Sequence, residues 1–146
     1  MFAFELTHVP AAADVSIVSN GVLNHGRALA VNGKANPIAC FVRNSGVVVA
    51  GAVGRTEYGR LFVSNLWVSE DRRSQGLGTA LLDHLEREAM SQDCSSAMIE
   101  TLNDRVAGLY SRRGYQTVVM VNSYVGPFNR HIMLKMLQSA HHHSAA

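Results

Sequence analysis

The sequence predicts a mixed α/β fold: one central, mostly antiparallel sheet with one parallel pair of strands and flanking helices. Runs rich in Val, Ile and Phe alternate with a period of two, which is typical of half-buried strands. The period then changes to 3.6, and Leu77, Leu81 and Leu85 share one face of a helix. Because a strand, this helix and another strand follow one another over residues 61–102, a right-handed crossover between parallel strands is expected.

The first part of the chain is predicted to form one strand and one helix. Phe2, Phe4 and Leu6 alternate with small or polar neighbours as a half-buried strand, which Pro10 ends. Residues 11–24 place valines at spacings of three and four, which predicts a helix.

Three β-rich runs then predict an antiparallel meander. Residues 37–43 and 47–56 are joined by Asn-Ser-Gly, a short connection typical of a hairpin. Residues 61–68 follow after Tyr-Gly-Arg and form the third strand. The Leu-rich helix is expected over residues 75–90.

The last third is predicted to form a strand, a short helix and a closing hairpin. Residues 97–102 form the strand, Asn103 caps a helix that ends near Arg112, and Gly114 supplies the left-handed residue after it. The last two strands are expected over residues 115–125 and 131–137. One domain over residues 1–138 and a disordered tail over residues 139–146 complete the prediction.

Composition excludes several classes of protein. The 146 residues are 47% hydrophobic and 16% charged with a net charge of +2, so we expect one folded domain and no nucleic-acid-binding surface. No run approaches the roughly 18 apolar residues of a membrane helix, and the first residues lack the pattern of a signal peptide, which predicts a cytoplasmic protein without membrane contact. Cys40 and Cys94 lack metal-ligand spacing, so no metal is expected, and neither has a neighbour to activate it as a nucleophile.

A glycine-containing motif lies where a strand leads into the Leu-rich helix. Arg73, Gly76 and Gly78 form RxxGxG, and the first turn of a helix leaves four N–H groups unpaired at the positive end of its dipole. A phosphate or pyrophosphate can accept from these groups, because glycine lets it approach the backbone. A turn whose glycines only allow close packing remains the alternative.

Two segments together resemble the Gcn5-related N-acetyltransferase (GNAT) superfamily. LWVSEDRRSQGLGTALLDHLEREA resembles its acetyl-CoA pyrophosphate loop, and NDRVAGLYSRRGY resembles its NxxxAxxLYxxxGF/Y segment, in the same order and at a similar separation. The resemblance extends over residues 37–137. It implies a GNAT-like fold, acetyl-CoA as co-substrate and transfer of acetyl to an amine.

The resemblance also implies roles for individual residues. Strand backbone would pair with the pantetheine arm, helix amides would hold the pyrophosphate, Asn103 would contact the pantetheine and Tyr110 would face the sulfur as the catalytic tyrosine. Asn103 is also an ordinary helix cap, and Tyr110 also an ordinary buried aromatic. The implied cofactor-binding residues are Leu66, Trp67, Val68, Arg73, Ser74, Gln75, Gly76, Leu77, Gly78, Thr79, Asn103 and Tyr110.

The general base is open, because the strand before the glycine loop, LFVSNLWV, contains no carboxylate. Glu57 and Glu100 are the candidates, and a water held by Ser64 or Asn65 is the alternative. A backbone N–H near Trp67 or Val68 would stabilise the oxyanion, because a β-bulge there could expose this N–H group.

The predicted function is an acetyl-CoA-dependent N-acetyltransferase that acts on a primary amine of a small molecule by direct attack on the thioester. A protein lysine or N-terminal acetyltransferase and a non-catalytic acyl-CoA-binding module are the alternatives. His131 is a candidate for the acceptor pocket, against an ordinary core or surface histidine. A homodimer is expected, because the late strands end a sheet and an open edge favours pairing.

Overall fold

The computed structural model describes residues 1–29 and 33–137, and the chain divides into two compact units, one of residues 1–33 and one from Lys34 onward. The first unit holds helix α1 (Ala12–Leu29), which extends the predicted helix at its end. The strand predicted at Phe2, Phe4 and Leu6 is wrong: these side chains are at least 94% exposed and the segment has no regular structure. A strand requires a hydrogen-bonded neighbour, and this segment pairs with none of the described strands.

The second unit is built on a six-stranded sheet, counted over the described residues. The parallel pair consists of β3 and β4, and every other neighbouring pair is antiparallel, which confirms the predicted fold class. The sheet order is β1-β2-β3-β4-β6-β5. The strands are β1 (Asn36–Asn44), β2 (Val47–Glu57), β3 (Arg60–Val68), β4 (Ser96–Thr101), β5 (Gln116–Val125) and β6 (Phe128–Met136).

Two helices of this unit pack on the sheet through one core. Helix α2 (Leu77–Ser91) buries its leucine face, and helix α3 (Asp104–Arg112) buries Ala107 and Tyr110. The sheet side of the core consists of Ala50, Ala52, Leu61, Val63, Ala97, Ile99 and Met133. The predicted cap is confirmed, because Asn103 Oδ1 accepts from the backbone N–H groups of Arg105 (2.9 Å) and Val106 (3.2 Å). The predicted tail, residues 139–146, lies outside the described residues.

A buried polar cluster joins α2 to the closing hairpin. Glu86 accepts a hydrogen bond from the Tyr115 hydroxyl at 3.0 Å and pairs with the Lys135 ammonium at 2.6 Å. Burial, followed by the Glu86 charge, raises the pKa of Tyr115, so its hydroxyl stays a donor. Each polar group of this cluster therefore has a partner, as a buried ion pair requires.

Candidate active site

A cleft opens where β3 and β4 separate. Their parallel pairing runs only from Arg60 opposite Ser96 to Val63 opposite Ile99, although both strands continue beyond it. Within the described chain, this edge of β3 therefore has no strand partner past Val63. The cleft has a volume of about 320 Å³ and is lined by Val63, Ser64, Asn65, Leu66, Ile99, Glu100, Thr101, Val106 and Tyr110.

A β-bulge lies in the wall of this cleft. Val63 pairs with Gly54 and Asn65 with Val53, so Ser64 is the extra residue of β3. The bulge lies three residues before Trp67, not at Trp67 or Val68 as the sequence suggested. Gly54 opposite it is required, because a Cβ there would lie 2.0 Å from the Phe62 carbonyl oxygen.

The glycine loop leads directly into α2. Gly76 caps the helix with φ +79°, a left-handed conformation that favours glycine, and Ala80 N–H is the first to bond back, to the Gly76 carbonyl at 3.0 Å. The N–H groups of Leu77, Gly78 and Thr79 precede it and have no acceptor in the helix. The loop therefore presents unpaired donors at the positive end of the α2 dipole.

Two further loop residues, Ser74 and Arg73, shape this turn. Ser74 has φ +65°, so the chain turns twice through the left-handed region before α2 begins. Arg73 Nε donates to the Val68 carbonyl at 3.0 Å, which ties the loop to the end of β3. Part of the Arg73 guanidinium is thus used within the protein, although the sequence suggested it for cofactor binding.

Tyr110 of α3 lies against the cleft from the core side. It is only 9% exposed, and its ring centre lies 6.1 Å from that of Tyr115. Burial raises the pKa of Tyr110, so its hydroxyl stays protonated and can donate a hydrogen bond into the cleft.

The structure separates the two candidate carboxylates. Glu100 of β4 lines the cleft, whereas Glu57 lies at the β2–β3 turn and accepts from Arg55 Nε at 2.9 Å. Glu57 pairs with Arg60, and the cleft wall at Ser64 is four residues further along β3, about 13 Å at the rise of a strand. Glu57 is therefore not brought to the site.

The segments that form the cleft, the glycine loop and the Tyr110 helix also match a known protein family in sequence. The sequence model of the acetyltransferase (GNAT) family matches residues 21–115. The chain belongs to the GNAT family. Its members are N-acetyltransferases that use acetyl-CoA, so the chain is an N-acetyltransferase, as its sequence predicted.

Individual GNAT relatives agree in sequence and in fold. The chain is 31% identical over 100 residues to the blasticidin-S acetyltransferase of Streptomyces morookaense, which spans 68% of this chain and 72% of that one. A crystal structure of a candidate acetyltransferase from Agrobacterium tumefaciens superposes with a TM-score of 0.87 at 26% identity, over 93% of this chain and all of that one. The ribosomal-protein-S18-alanine N-acetyltransferase of Escherichia coli shares the fold, with a TM-score of 0.66 at 21% identity over 91% and 82% of the two chains.

His131, the candidate acceptor contact of this GNAT chain, pairs in register with Thr101 and is not among the residues that line the cleft. Its Nε2 lies 2.6 Å from Asp104 Oδ1 and its Nδ1 lies 3.1 Å from Thr117 Oγ1, so both ring nitrogens have partners. The hydrogen bond with His131 lowers the pKa of Asp104, the first residue of α3. His131 thus holds the start of the helix that carries Tyr110.

Several residues in or beside the cleft of this GNAT fold were not predicted from sequence. Val106 and Thr101 line the cleft, and Arg130 of β6 pairs with the Glu100 carboxylate. No local sequence signal marks the Arg130 contact, because the two residues are 30 positions apart and meet only through the β4–β6 pairing.

The described residues outside the cleft include the buried thiol of Cys94. Burial raises the pKa of the Cys94 thiol, which opposes formation of a nucleophilic thiolate. Among residues 1–29 and 33–137 no cluster of three or more metal-ligating side chains occurs. No described helix combines the length and apolarity needed to cross a bilayer.

Proposed function

We propose that this enzyme transfers the acetyl group of acetyl-CoA to a primary amine of a small molecule, by direct attack of the amine on the thioester. One observation carries this proposal: the unpaired edge of β3 and Tyr110 line one cleft, and the first turn of α2 lies beside it, since a Cβ on Gly78 would lie 3.9 Å from the cleft residue Leu66. Acetyl-CoA supplies an activated acetyl group. The chain has to bind it, accept a proton from the amine and stabilise the leaving thiolate.

The donor side of the site is mostly backbone. The edge of β3 at Leu66, Trp67 and Val68, where the Val68 carbonyl also accepts from Arg73, can pair with the amides of a pantetheine arm as an added strand. The α2 amides suit a pyrophosphate, and a Cβ placed on Gly78 would make only ordinary contacts, 3.9 Å from Leu66. Residues that would hold acetyl-CoA are those that the resemblance implied: Leu66, Trp67, Val68, Arg73, Ser74, Gln75, Gly76, Leu77, Gly78, Thr79, Asn103 and Tyr110.

Glu100 is the carboxylate that we propose as acceptor of the proton of the amine. An alkyl amine with a pKa of about 10.4 is almost wholly protonated at pH 7, so a proton acceptor is needed before attack. Glu100 lines the cleft, and Ser64 and Asn65 on the facing wall can hold a water that relays the proton.

Tyr110 is suited to stabilise the leaving thiolate by donating a hydrogen bond. Its ordinary pKa of about 10 already exceeds the 8.5 of a thiol, and burial raises the pKa of Tyr110 further. Complete proton transfer to the sulfur is therefore uphill, whereas a hydrogen bond from the neutral hydroxyl is available throughout the neutral pH range.

The direct test is a turnover screen that measures thiol released from acetyl-CoA. The acceptors are small primary amines, polyamines, amino acids, lysine-containing peptides and peptides with free N-termini. Turnover with small amines supports the proposal, and turnover with peptides alone would replace it by a protein acetyltransferase. Binding without turnover on every acceptor would indicate an acyl-CoA-binding module.

Acetyl-CoA should stabilise the folded protein. A ligand that binds only the native state adds RT ln(1 + [L]/Kd), about 2.7 kcal/mol at a hundredfold excess over Kd. We therefore expect the melting temperature, followed by scanning fluorimetry, to rise with acetyl-CoA concentration. An unchanged melting temperature at millimolar acetyl-CoA would contradict the proposed function.

The enzyme should form a homodimer through the β5 edge. Strand β5 is the last of the sheet and every one of its ten residues is exposed, including Val119 (48%) and Val121 (42%). A long apolar edge strand of this kind favours pairing with a second copy. Light scattering should give twice the monomer mass, and Val121→Lys should shift the equilibrium to monomer. A monomer mass at every concentration would refute this.

A further inference from the structure

Among the described residues, one side chain of the neighbouring strand, Arg130, holds Glu100, the carboxylate in the cleft wall. Arg130 Nε donates to Glu100 Oε2 at 3.1 Å, and Arg130 Nη2 donates to the same oxygen. Both hydrogen bonds thus reach Oε2, and Glu100 Oε1 has no hydrogen-bond partner within the described part of the chain. The carboxylate is thus held through Oε2 alone, and Glu100 lines the cleft.

The Arg130 guanidinium is itself fixed by Tyr124 of β5. Arg130 Nη1 donates to the Tyr124 hydroxyl at 2.9 Å, and the guanidinium carbon lies 5.0 Å from the centre of the Tyr124 ring. The hydrogen bond with Glu100 raises the pKa of Arg130, so the guanidinium stays positively charged. Contacts to Glu100 on one side and Tyr124 on the other thus restrain the orientation of the guanidinium.

The Arg130–Glu100 ion pair contributes little to the stability of the folded protein. The Arg130 and Glu100 side chains are 34% and 41% exposed, and ion pairs at such exposed positions contribute little to the free energy of unfolding. A planar guanidinium with two donors on one carboxylate oxygen does, however, fix geometry in a way that a single ammonium cannot. A role in orienting Glu100 accounts for this arrangement better than a role in folding.

We propose that Arg130 is a positioning residue for the acetyl transfer, which holds Glu100 so that its Oε1 accepts the proton of the acceptor amine. The inference rests on the proposed function, because it takes Glu100 as the proton acceptor. It adds that the β5–β6 hairpin, through Arg130 and Tyr124, determines the orientation of that base. Arg130 then acts on the rate only through Glu100.

A double-mutant cycle tests this dependence. The variants are Arg130→Met, Glu100→Gln and the double variant, and the readout is thiol release from acetyl-CoA, with the best amine of the screen and with water alone as acceptor. We expect Arg130→Met to lower kcat about tenfold with the acetyl-CoA Kd unchanged, and Glu100→Gln to lower kcat at least as much. In the Glu100→Gln background, Arg130→Met should change kcat less than twofold, because the group that it positions is gone.

Two further variants separate positioning from structure. Arg130→Lys should recover part of the lost kcat, since an ammonium can pair with Glu100 but cannot donate as a planar fork. Arg55→Met is the matched control, because Arg55 also pairs with a glutamate, Glu57, and lies 4.4 Å from the centre of an aromatic ring, Phe62, but away from the cleft. We expect it to leave kcat within twofold of wild type.

The outcomes distinguish this inference from the proposed function. A wild-type chain that neither binds acetyl-CoA nor releases thiol would overturn both. In a second outcome, the wild type turns over while Arg130→Met lowers kcat by the same factor in the wild-type and in the Glu100→Gln background. That result would overturn the positioning role of Arg130 and leave the proposed function standing. An equal loss of kcat in Arg55→Met would likewise assign the effect to general packing and overturn the role.

Discussion

Gly78→Asp should raise the acetyl-CoA Kd at least about a hundredfold while the protein stays folded. The new carboxylate lies in the first turn of α2, where the proposed site holds the pyrophosphate. Two like unit charges about 4 Å apart repel by about 4 kcal/mol at an effective dielectric of 20, and about 2.7 kcal/mol already corresponds to a hundredfold change in Kd. An acidic residue in the first turn of a helix is favourable for the helix itself, so the free energy of unfolding should not fall.

The control variants separate charge, bulk and folding. Gly78→Ala adds only a methyl group in ordinary contact with Leu66, so it should cost less affinity than the carboxylate does. Gly108→Asp places the same side chain on α3 at an exposed glycine with open space around it, and should leave the Kd within twofold. The measurement is isothermal titration with acetyl-CoA, alongside chemical unfolding. A folded Gly78→Asp protein that binds with the wild-type Kd would show that the pyrophosphate lies elsewhere.

Tyr110→Phe should lower kcat about tenfold to a hundredfold and leave the acetyl-CoA Kd almost unchanged. The ring keeps its contacts in the core, while the hydrogen bond to the developing thiolate is lost, and hydrogen bonds to charged groups contribute about 1.5–3 kcal/mol. Because burial raises the pKa of Tyr110, its hydroxyl remains protonated well above neutral pH. The loss of kcat should therefore be constant from about pH 6 to pH 9, below the ordinary tyrosine pKa of about 10.

Single-turnover measurement of thiol release checks this result, because it isolates the chemical step from product release. Tyr58→Phe, at the exposed β2–β3 turn, is the matched control and should leave kcat unchanged. A much larger loss than a hundredfold would mean that Tyr110 transfers its proton completely. An unchanged rate of the chemical step in Tyr110→Phe would make this tyrosine an ordinary core aromatic.

The elements of the sheet unit could be predicted from sequence because their signals are local. The leucine period of α2, the Asn103 cap and the parallel pair around α2 are confirmed. The strand at Phe2, Phe4 and Leu6 was wrongly predicted because its signal, too, was only local. Alternation of apolar and polar residues shows that a segment can form a half-buried strand. The strand forms only where a neighbouring strand supplies hydrogen-bond partners.

The candidate site was predictable where it is continuous in sequence. The glycine loop and the Tyr110 helix are each one segment, so their motifs could be recognised. The choice between Glu57 and Glu100 was not accessible, because it depends on which end of β3 loses its partner. The contacts of Arg130 with Glu100 and of His131 with Asp104 depend on strand register and on residues about 30 positions apart.

The early end of the β3–β4 pairing has a consequence for how such an enzyme can diverge. Donor recognition that uses main-chain groups is insensitive to most substitutions, since every residue except proline carries the same N–H and C=O groups. Ser64, Asn65 and Thr101 on the cleft walls present side chains, and each can be exchanged by a single mutation that leaves the main-chain groups unchanged. The acetyl donor should thus stay constant over long evolutionary times, while the choice of acceptor changes through a few positions on β3 and β4.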